Sequence, residues 1–247
     1  MRRLIISLTL IVSAFLLIAP GKPSGDYILR KVDENIGADS KTSDSKMIVA
    51  GGRVTRTIEF KSWIQGTSKS FTEYLAPARE KGTKMLKLDD QLWIYTPQTD
   101  RIIRISGHML RQSVMGSDLS YEDLMDDAKY AEMYSAEVIR EEVYSDRDCW
   151  VLKLTAKEED IAYYSREIWV DKERFIPLKE NRYAKSGKLL KYTEVQSVSK
   201  YGSRWYPDKM LFKDALKGGK GTEFVIYRIN FNTDIPDYIF SKASLRK

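Results

Sequence analysis

Residues 107–125, "GHMLRQSVMGSDLSYEDLM", concentrate the side chains of this chain that could do chemistry. They include His108, the only histidine, three methionines, and the hydroxyl and acidic residues of the run from Ser117 to Asp123. An imidazole near carboxylates and serines could serve acid–base or nucleophilic catalysis. The same residues could also cover a ligand or begin a helix, and the remainder of the sequence bears on that choice.

No catalytic pattern accompanies His108. The sequence lacks G-x-S-x-G, H-E-x-x-H and C-x-x-C motifs, and a Ser–His–Asp triad would have only His108 to use. One imidazole with carboxylates is a poor donor set for zinc. The glycine-rich run 218–221 lacks the G-K-[ST] ending of a phosphate-binding loop and is predicted to be a hairpin loop. Adjacent carboxylates such as Glu141 and Glu142 stand in polar surroundings. We therefore predict no enzyme, no metal and no cofactor; an enzyme that uses His108 is an alternative.

Cys149 is the only cysteine, so no disulfide can form within the chain. It precedes Trp150 in a strand-like run, which predicts a small buried residue rather than a catalytic thiol. A content of 43% hydrophobic and 11% aromatic residues can supply an apolar core instead. The net charge of +6 is spread over alternating charges without a basic block, so nucleic acid is not an expected partner.

The N-terminus predicts export. Two arginines precede the uncharged run 4–18, and small residues follow, which is typical of a secretory signal peptide. The run is shorter than the roughly 20 residues that span a bilayer, and an uncleaved anchor is the alternative. We predict a signal peptide over residues 1–25, cleaved near residue 21 or 25, and a single domain over residues 26–247.

Short strands account for most of that domain. Residues 26–35 predict an amphipathic helix, and the polar run 37–46 predicts a connector. From residue 53 onward, about ten or eleven alternating runs are separated by turn residues, and only residues 120–133 show a helical pattern. Successive short strands predict a mainly β fold, in which one large antiparallel sheet curls to bury its inner face.

A curled sheet fills its concave face with helices, side chains or a ligand. Large apolar residues of the strands are the predicted walls of a ligand-binding cavity: Phe60, Leu86, Trp93, Tyr95, Ile103, Ile105, Trp150 and Trp169. Close packing of these residues against one another, with no ligand, is the alternative.

The 107–125 segment divides into two parts. Ser120 and Asp123 have the spacing of a helix-capping box, which explains its acidic end. The part before them is apolar and rich in methionine, which adapts to varied apolar partners. We predict a lid formed by Met109, Leu110, Met115 and Leu124; an ordinary plug of core is the alternative.

The same window resembles the outer-membrane lipoprotein-sorting proteins, the LolA-like group. The matching residues are a W-x-Y-x-P strand (Trp93, Tyr95, Pro97), the strand Arg101 to Ile105, the run Met115 to Asp118 with Ser120 and Asp123, and the strand-turn-strand 167–179. The resemblance implies an unclosed half-barrel with two or three short helices over its concave face. It also implies a periplasmic carrier that shields acyl chains between the inner and outer membranes without covalent chemistry.

Lipoprotein acyl chains or phospholipid are the partners that the resemblance implies, with an inner-membrane exporter, an outer-membrane acceptor and a monomeric carrier. An arginine locks the lid in the best-known carriers, and Arg101, Arg104 and Arg111 are the candidates here. The alternative function is a periplasmic sensor or regulatory module that binds lipoprotein or a membrane-protein segment on the same fold.

Overall fold

A computed structural model describes residues 22–50, 54–125, 129–159 and 161–247. The predicted signal peptide lies outside the described residues as far as residue 21. Within the described ranges, thirteen strands form one antiparallel sheet. No helix in these ranges is long and apolar enough to cross a membrane.

Two groups of strands occupy the two halves of the sheet. Strands β1 to β6 are Ser40–Ala50, Thr55–Gln65, Lys69–Ala76, Lys84–Leu88, Gln91–Thr96 and Arg101–Ile105. Strands β7 to β13 are Tyr134–Tyr144, Arg147–Ala156, Ser165–Asp171, Pro177–Tyr183, Leu189–Tyr201, Arg204–Asp214 and Thr222–Phe231. The helices of the described residues are α1 (Gly25–Ile36), α2 (Tyr121–Met125) and α3 (Tyr130–Met133), with 3-10 helices at Gly107–Arg111, Val114–Gly116, Asp237–Phe240 and Lys242–Arg246.

The strand order is β6-β5-β4-β3-β2-β1-β13-β12-β11-β10-β9-β8-β7. Each half is a meander of neighbours in sequence, and β1 pairs with β13 in the middle. Strands β6 and β7 are therefore the two edges of the sheet. The chain between them, which contains the 107–125 segment, must pass from one edge to the other.

The predicted fold class is confirmed, but the predicted count of ten or eleven strands is too low, because the described residues form thirteen. The polar run 37–46 was predicted to be a connector, whereas β1 begins at Ser40 and pairs on both sides with β2 and β13. Strand β3 was also missed. Pairing with two neighbours satisfies the β1 backbone and overrides the weak strand propensity of its serines and charged residues.

The sheet is strongly curled. Helix α2 has five residues, yet the Met125 carbonyl accepts a hydrogen bond from Lys87 on β4, and Asp123 is paired with Arg182 on β10. On a flat sheet these two strands would be roughly 34 Å apart, at about 4.8 Å per strand. We call the face that the 107–125 segment covers the inner face.

Both faces of the sheet are packed. On the inner face, α1 buries Ile28, Leu29 and Val32 against β8 and β9. Gly25 lets the start of α1 approach β7 closely, because a Cβ there would lie 2.3 Å from the Ala136 carbonyl oxygen. On the outer face, residues 235–245 cover the first half of the sheet, and a separate cluster around the buried Cys149 fills the second half.

Candidate functional site

The 107–125 segment lies across the inner face with its apolar side chains against the strands. Val114 and Leu119 are buried in a cluster with Ile58, Phe60 and Ile105. The four predicted lid residues, Met109, Leu110, Met115 and Leu124, are half-buried against the same cluster. The structure therefore brings the predicted lid and one part of the predicted cavity wall together.

Arg56 on β2 holds the middle of the segment. Its Nη2 donates a hydrogen bond of 2.9 Å to the Met115 carbonyl oxygen. Met115 and Gly116 both have left-handed backbone angles, with φ of 51° and 73°. A Cβ on residue 116 would lie 2.8 Å from Arg56 Nη2, so glycine is needed here for the angle and for the space.

Asp118 fixes the segment to β12 and β13. Its carboxylate accepts hydrogen bonds from the Thr222 hydroxyl at 2.9 Å and from the Asp214 backbone N–H at 3.0 Å. Lys213, which is largely buried, lies 3.4 Å from the same carboxylate. Thr222 is buried completely and also accepts a hydrogen bond from the Asp118 backbone N–H. These contacts are polar, whereas the predicted lid residues make apolar contacts.

Asp123 connects α2 to β10 and β11. It accepts hydrogen bonds from the Ser120 backbone N–H at 2.6 Å and hydroxyl at 2.7 Å, which confirms the predicted cap. It also pairs with Arg182 at 3.0 Å and with Lys191, and accepts a hydrogen bond from the Tyr163 hydroxyl at 2.6 Å. One carboxylate therefore both caps the helix and fastens it to two strands.

Charges continue beneath Asp123 along the inner face. Glu180 bridges Arg182 at 2.9 Å and Arg166 at 2.7 Å, and all three side chains are almost inaccessible to solvent. The guanidinium of Arg166 also lies 4.8 Å from the ring centre of Tyr134. Acidic and basic side chains alternate along this network, and their mutual attraction, together with the ring contact, offsets the free-energy cost of burying the charges.

The electrostatics of this network favour its ionised form. Burial alone would raise the pKa of Asp123, but Arg182 and Lys191 outweigh burial and lower its pKa to about 2. Burial likewise opposes ionisation of Glu180, whereas Arg182 and Arg166 hold the pKa of Glu180 well below its ordinary value. Burial raises the pKa of Tyr163, and the neighbouring Asp123 carboxylate raises it further, so the phenol stays a donor.

Open space remains on the inner face beside α1. A cavity of about 730 Å³ lies between α1, α3 and the start of β1, where its lining includes Asp33, Lys41 and Arg204. A smaller, mainly apolar pocket of about 160 Å³ adjoins it through Ile36, Tyr130 and Arg182. The apolar pocket lies against β10 to β12, and its lining includes Pro177, Val195, Pro207, Met210 and Phe212. Together they reach the size range of small-molecule sites.

The eight predicted cavity residues divide equally between the two faces. Phe60, Ile103, Ile105 and Trp150 lie on the inner face, where Ile103 is 46% exposed on the edge strand. Leu86, Trp93, Tyr95 and Trp169 lie on the outer face, in the clusters beneath residues 235–245 and around Cys149. The structure does not bring the second four together with the first. Size and apolar character do not identify the face of a side chain, because successive side chains along a strand point to opposite faces.

The hydrogen bond that ties the sheet to Met115 comes from Arg56 and not from any of the three candidate arginines. Arg101 and Arg104 are exposed on edge strand β6, and Arg111 is exposed at the end of a 3-10 helix. Arg56 was missed, although its position was a signal: it stands on the apolar face of a predicted strand, two residues before Ile58. Glu180 and Arg182 are two residues apart on β10, so their charged side chains share one face of a strand. That spacing was a similar signal of a buried ion pair.

His108 is exposed at the surface. Cys149 is fully buried, as predicted, and burial raises its thiol pKa to about 11. The described residues contain no group of three or more histidine, cysteine or acidic side chains placed to hold a metal ion. The contacts of Arg56, Asp118 and Asp123 hold the 107–125 segment, which we call the cover, on the apolar inner face.

Comparisons with known proteins agree with this geometry. A family model described as "Uncharacterized protein" matches residues 66–247, and no curated protein matches the sequence. A solved outer membrane lipoprotein-sorting protein domain from Vibrio parahaemolyticus has a TM-score of 0.80 at 24% identity over 90% of this chain and 98% of its own. A LolA superfamily protein from Nitrosomonas europaea has a TM-score of 0.75 at 25% identity over 90% of this chain and 99% of its own.

The chain belongs to the matched family, and it is LolA-like. A DUF1329 family protein from Desulfovibrio piger has the same fold, with a TM-score of 0.79 at 25% identity over 90% of this chain and 97% of its own. Each of these structures is covered almost completely, so the LolA-like architecture extends over nearly the whole of the described chain. The predicted resemblance is therefore confirmed.

Proposed function

We propose that this LolA-like chain is a periplasmic carrier that binds acyl chains of lipoproteins or lipids on its inner face. It moves them between the inner and outer membranes without covalent chemistry. One observation carries the proposal: the 107–125 segment lays four adaptable apolar side chains over an apolar face, while Arg56, Asp118 and Asp123 hold it by polar contacts. The name of the Vibrio relative, a lipoprotein-sorting protein domain, supports the same function.

Acyl chains can take the place of these side chains at little energetic cost. A methylene group gains about 0.8 kcal/mol on leaving water, whether it belongs to a methionine or to a lipid tail. Opening the lid therefore exposes an apolar face that a bound chain covers again. The apolar pocket beside α1 gives the first methylene groups an entry point.

Native mass spectrometry tests this function on protein purified from the cell envelope without detergent, followed by solvent extraction. We expect bound phospholipid or acylated peptide, and uptake of cis-parinaric acid by the delipidated protein. A clean protein mass together with no uptake of the probe would show that side chains fill the inner face permanently. Extraction of an unacylated peptide would instead identify the regulatory module.

A further inference from the structure

Strands β11 and β12 continue past the strands on either side of them. In the described residues, β10 pairs with β11 no further than Glu194, and β13 pairs with β12 no further than Lys209. Beyond those points the two strands pair with each other as far as Tyr201 opposite Arg204. Residues 198–207 therefore form a two-stranded ribbon, roughly 13 Å long at 3.3 Å per residue.

Aromatic rings and cations occur on both faces of this ribbon. On one face, Tyr201, Arg204 and Tyr206 surround the ring of Phe231 at 6.3, 5.0 and 5.2 Å. On the other face, the ring of Trp205 packs against the cluster around Cys149, and the Arg174 guanidinium and the Lys200 ammonium lie 4.1 and 5.8 Å from its centre. Each of the three rings of the ribbon therefore packs against the protein on one side and remains partly exposed.

The ribbon also lies at the opening of the inner-face cavity. Arg204 lines the 730 Å³ cavity, while Tyr206 and Pro207 line the apolar pocket next to it. Arg204 donates a hydrogen bond of 2.8 Å to the Asn35 carbonyl oxygen at the end of α1, which fixes the ribbon to that opening. Any surface that binds the ribbon therefore lies next to the opening of the cavity.

Tyrosine and tryptophan favour the headgroup level of a bilayer, where an apolar ring and a polar edge are both satisfied. Lysine and arginine are drawn to anionic headgroups. Residues 198–207, "VSKYGSRWYP", contain two cations and three such aromatic residues but no acidic residue. We propose that this ribbon docks on an anionic lipid bilayer and sets the cavity opening against the membrane surface.

The test places an environment-sensitive nitrobenzoxadiazole label at the ribbon turn through Ser203→Cys. Its matched control is Lys220→Cys, in the exposed turn between β12 and β13 at the opposite end of β12. Cys149 is buried and leaves the label on the introduced thiol. We expect the Ser203 label to shift to the blue with protein-free vesicles of phosphatidylglycerol and phosphatidylcholine but not with phosphatidylcholine alone, and the Lys220 label to shift with neither.

Charge reversal provides the second measurement. Lys200→Glu should weaken vesicle binding roughly tenfold or more, while Lys220→Glu, with the same change in net charge, should leave it unaltered. An equal response of both labels, equal effects of both reversals, or no binding would overturn the proposal. A blue shift of the Ser203 label that occurs only with vesicles containing membrane protein would overturn the proposal in favour of a protein partner. Vesicle docking does not depend on cargo, so failed cis-parinaric acid uptake with intact docking would count only against the carrier function.

Discussion

Arg56 on β2 and the Met115 carbonyl oxygen are joined by a hydrogen bond of 2.9 Å, and this contact ties the cover of the inner face to the sheet. A hydrogen bond from a charged donor contributes about 1.5–3 kcal/mol. Because the bond exists only while the cover is closed, it opposes the state that can accept a ligand.

We expect Arg56→Ala to raise the apparent affinity for cis-parinaric acid by about tenfold, since a larger fraction of the protein is then competent to bind. Fluorescence titration of the purified variant measures the change. Arg104→Ala, which removes an exposed arginine from β6, should leave the affinity unaltered. Unchanged or weaker binding by folded Arg56→Ala would show that this hydrogen bond does not restrain the cover.

Replacing the apolar contacts of the cover should have the opposite effect. Leu110→Glu or Met115→Glu puts a carboxylate where the ligand needs an apolar wall, and we expect at least a tenfold loss of cis-parinaric acid affinity. The far-ultraviolet circular dichroism of the sheet should not change. Leu216→Glu is the matched control, because Leu216 is 59% exposed. If uptake is intact in the folded variants, these residues are not a lid.

The two faces of the sheet can be told apart by a pair of substitutions. Phe60 is 6% exposed on the inner face and Trp93 is 7% exposed on the outer face. Phe60→Ala and Trp93→Ala should each lower the free energy of unfolding by about 3 kcal/mol or more, measured in urea. Only Phe60→Ala should alter the affinity for cis-parinaric acid. Equal effects on affinity would contradict the assignment of Trp93 to a structural core.

Asp123 should make a pH-dependent contribution to stability. Its pKa is about 2 in the folded protein against an ordinary 3.8, so its carboxylate contributes about 2 kcal/mol above pH 4. That contribution is lost as the pH falls through 2. Asp123→Asn should therefore be less stable than the natural protein at pH 7, and the difference should shrink between pH 4 and pH 2. Urea unfolding at a series of pH values measures it, and a constant difference would contradict ionic pairing with Arg182 and Lys191.

The position of the predicted signal-peptide cleavage affects α1. The Ser24 hydroxyl accepts a hydrogen bond of 3.2 Å from the Tyr27 backbone N–H and caps this helix. A chain that starts at Asp26 lacks this cap and puts a positive amino group at the helix N-terminus. We expect it to be less stable than a chain that starts at Lys22 by about 1–2 kcal/mol. Equal melting temperatures of the two chains would show that the cap is dispensable.

Alternation and turn residues were sufficient to predict most strands of the sheet and the hairpin loop at 218–221, and the spacing of Ser120 and Asp123 predicted the helix cap. They could not show β1, because its serines and charged residues become a strand only through pairing with β2 and β13. Pairing between distant segments has no local signature in sequence.

The functional contacts were harder to predict than the elements that carry them. Asp123 meets Arg182 only after the sheet has curled, and the curl depends on every strand between β4 and β10. The position of Arg56 on an apolar strand face was the accessible signal. A charge in such a position requires a buried partner, and the partner here is a backbone carbonyl that no residue type reveals.

The pairing of β1 with β13 also has a consequence for how the chain folds. Each half of the sheet is assembled from hairpins between neighbours, which form early because their loops are short. The seam that joins the halves, in which Lys41 pairs with Phe231, cannot form until almost the whole chain is available. An emerging chain would therefore hold an unpaired β1 edge for most of its synthesis, when unpaired edges favour aggregation. A chaperone that shields that edge would act before the sheet curls.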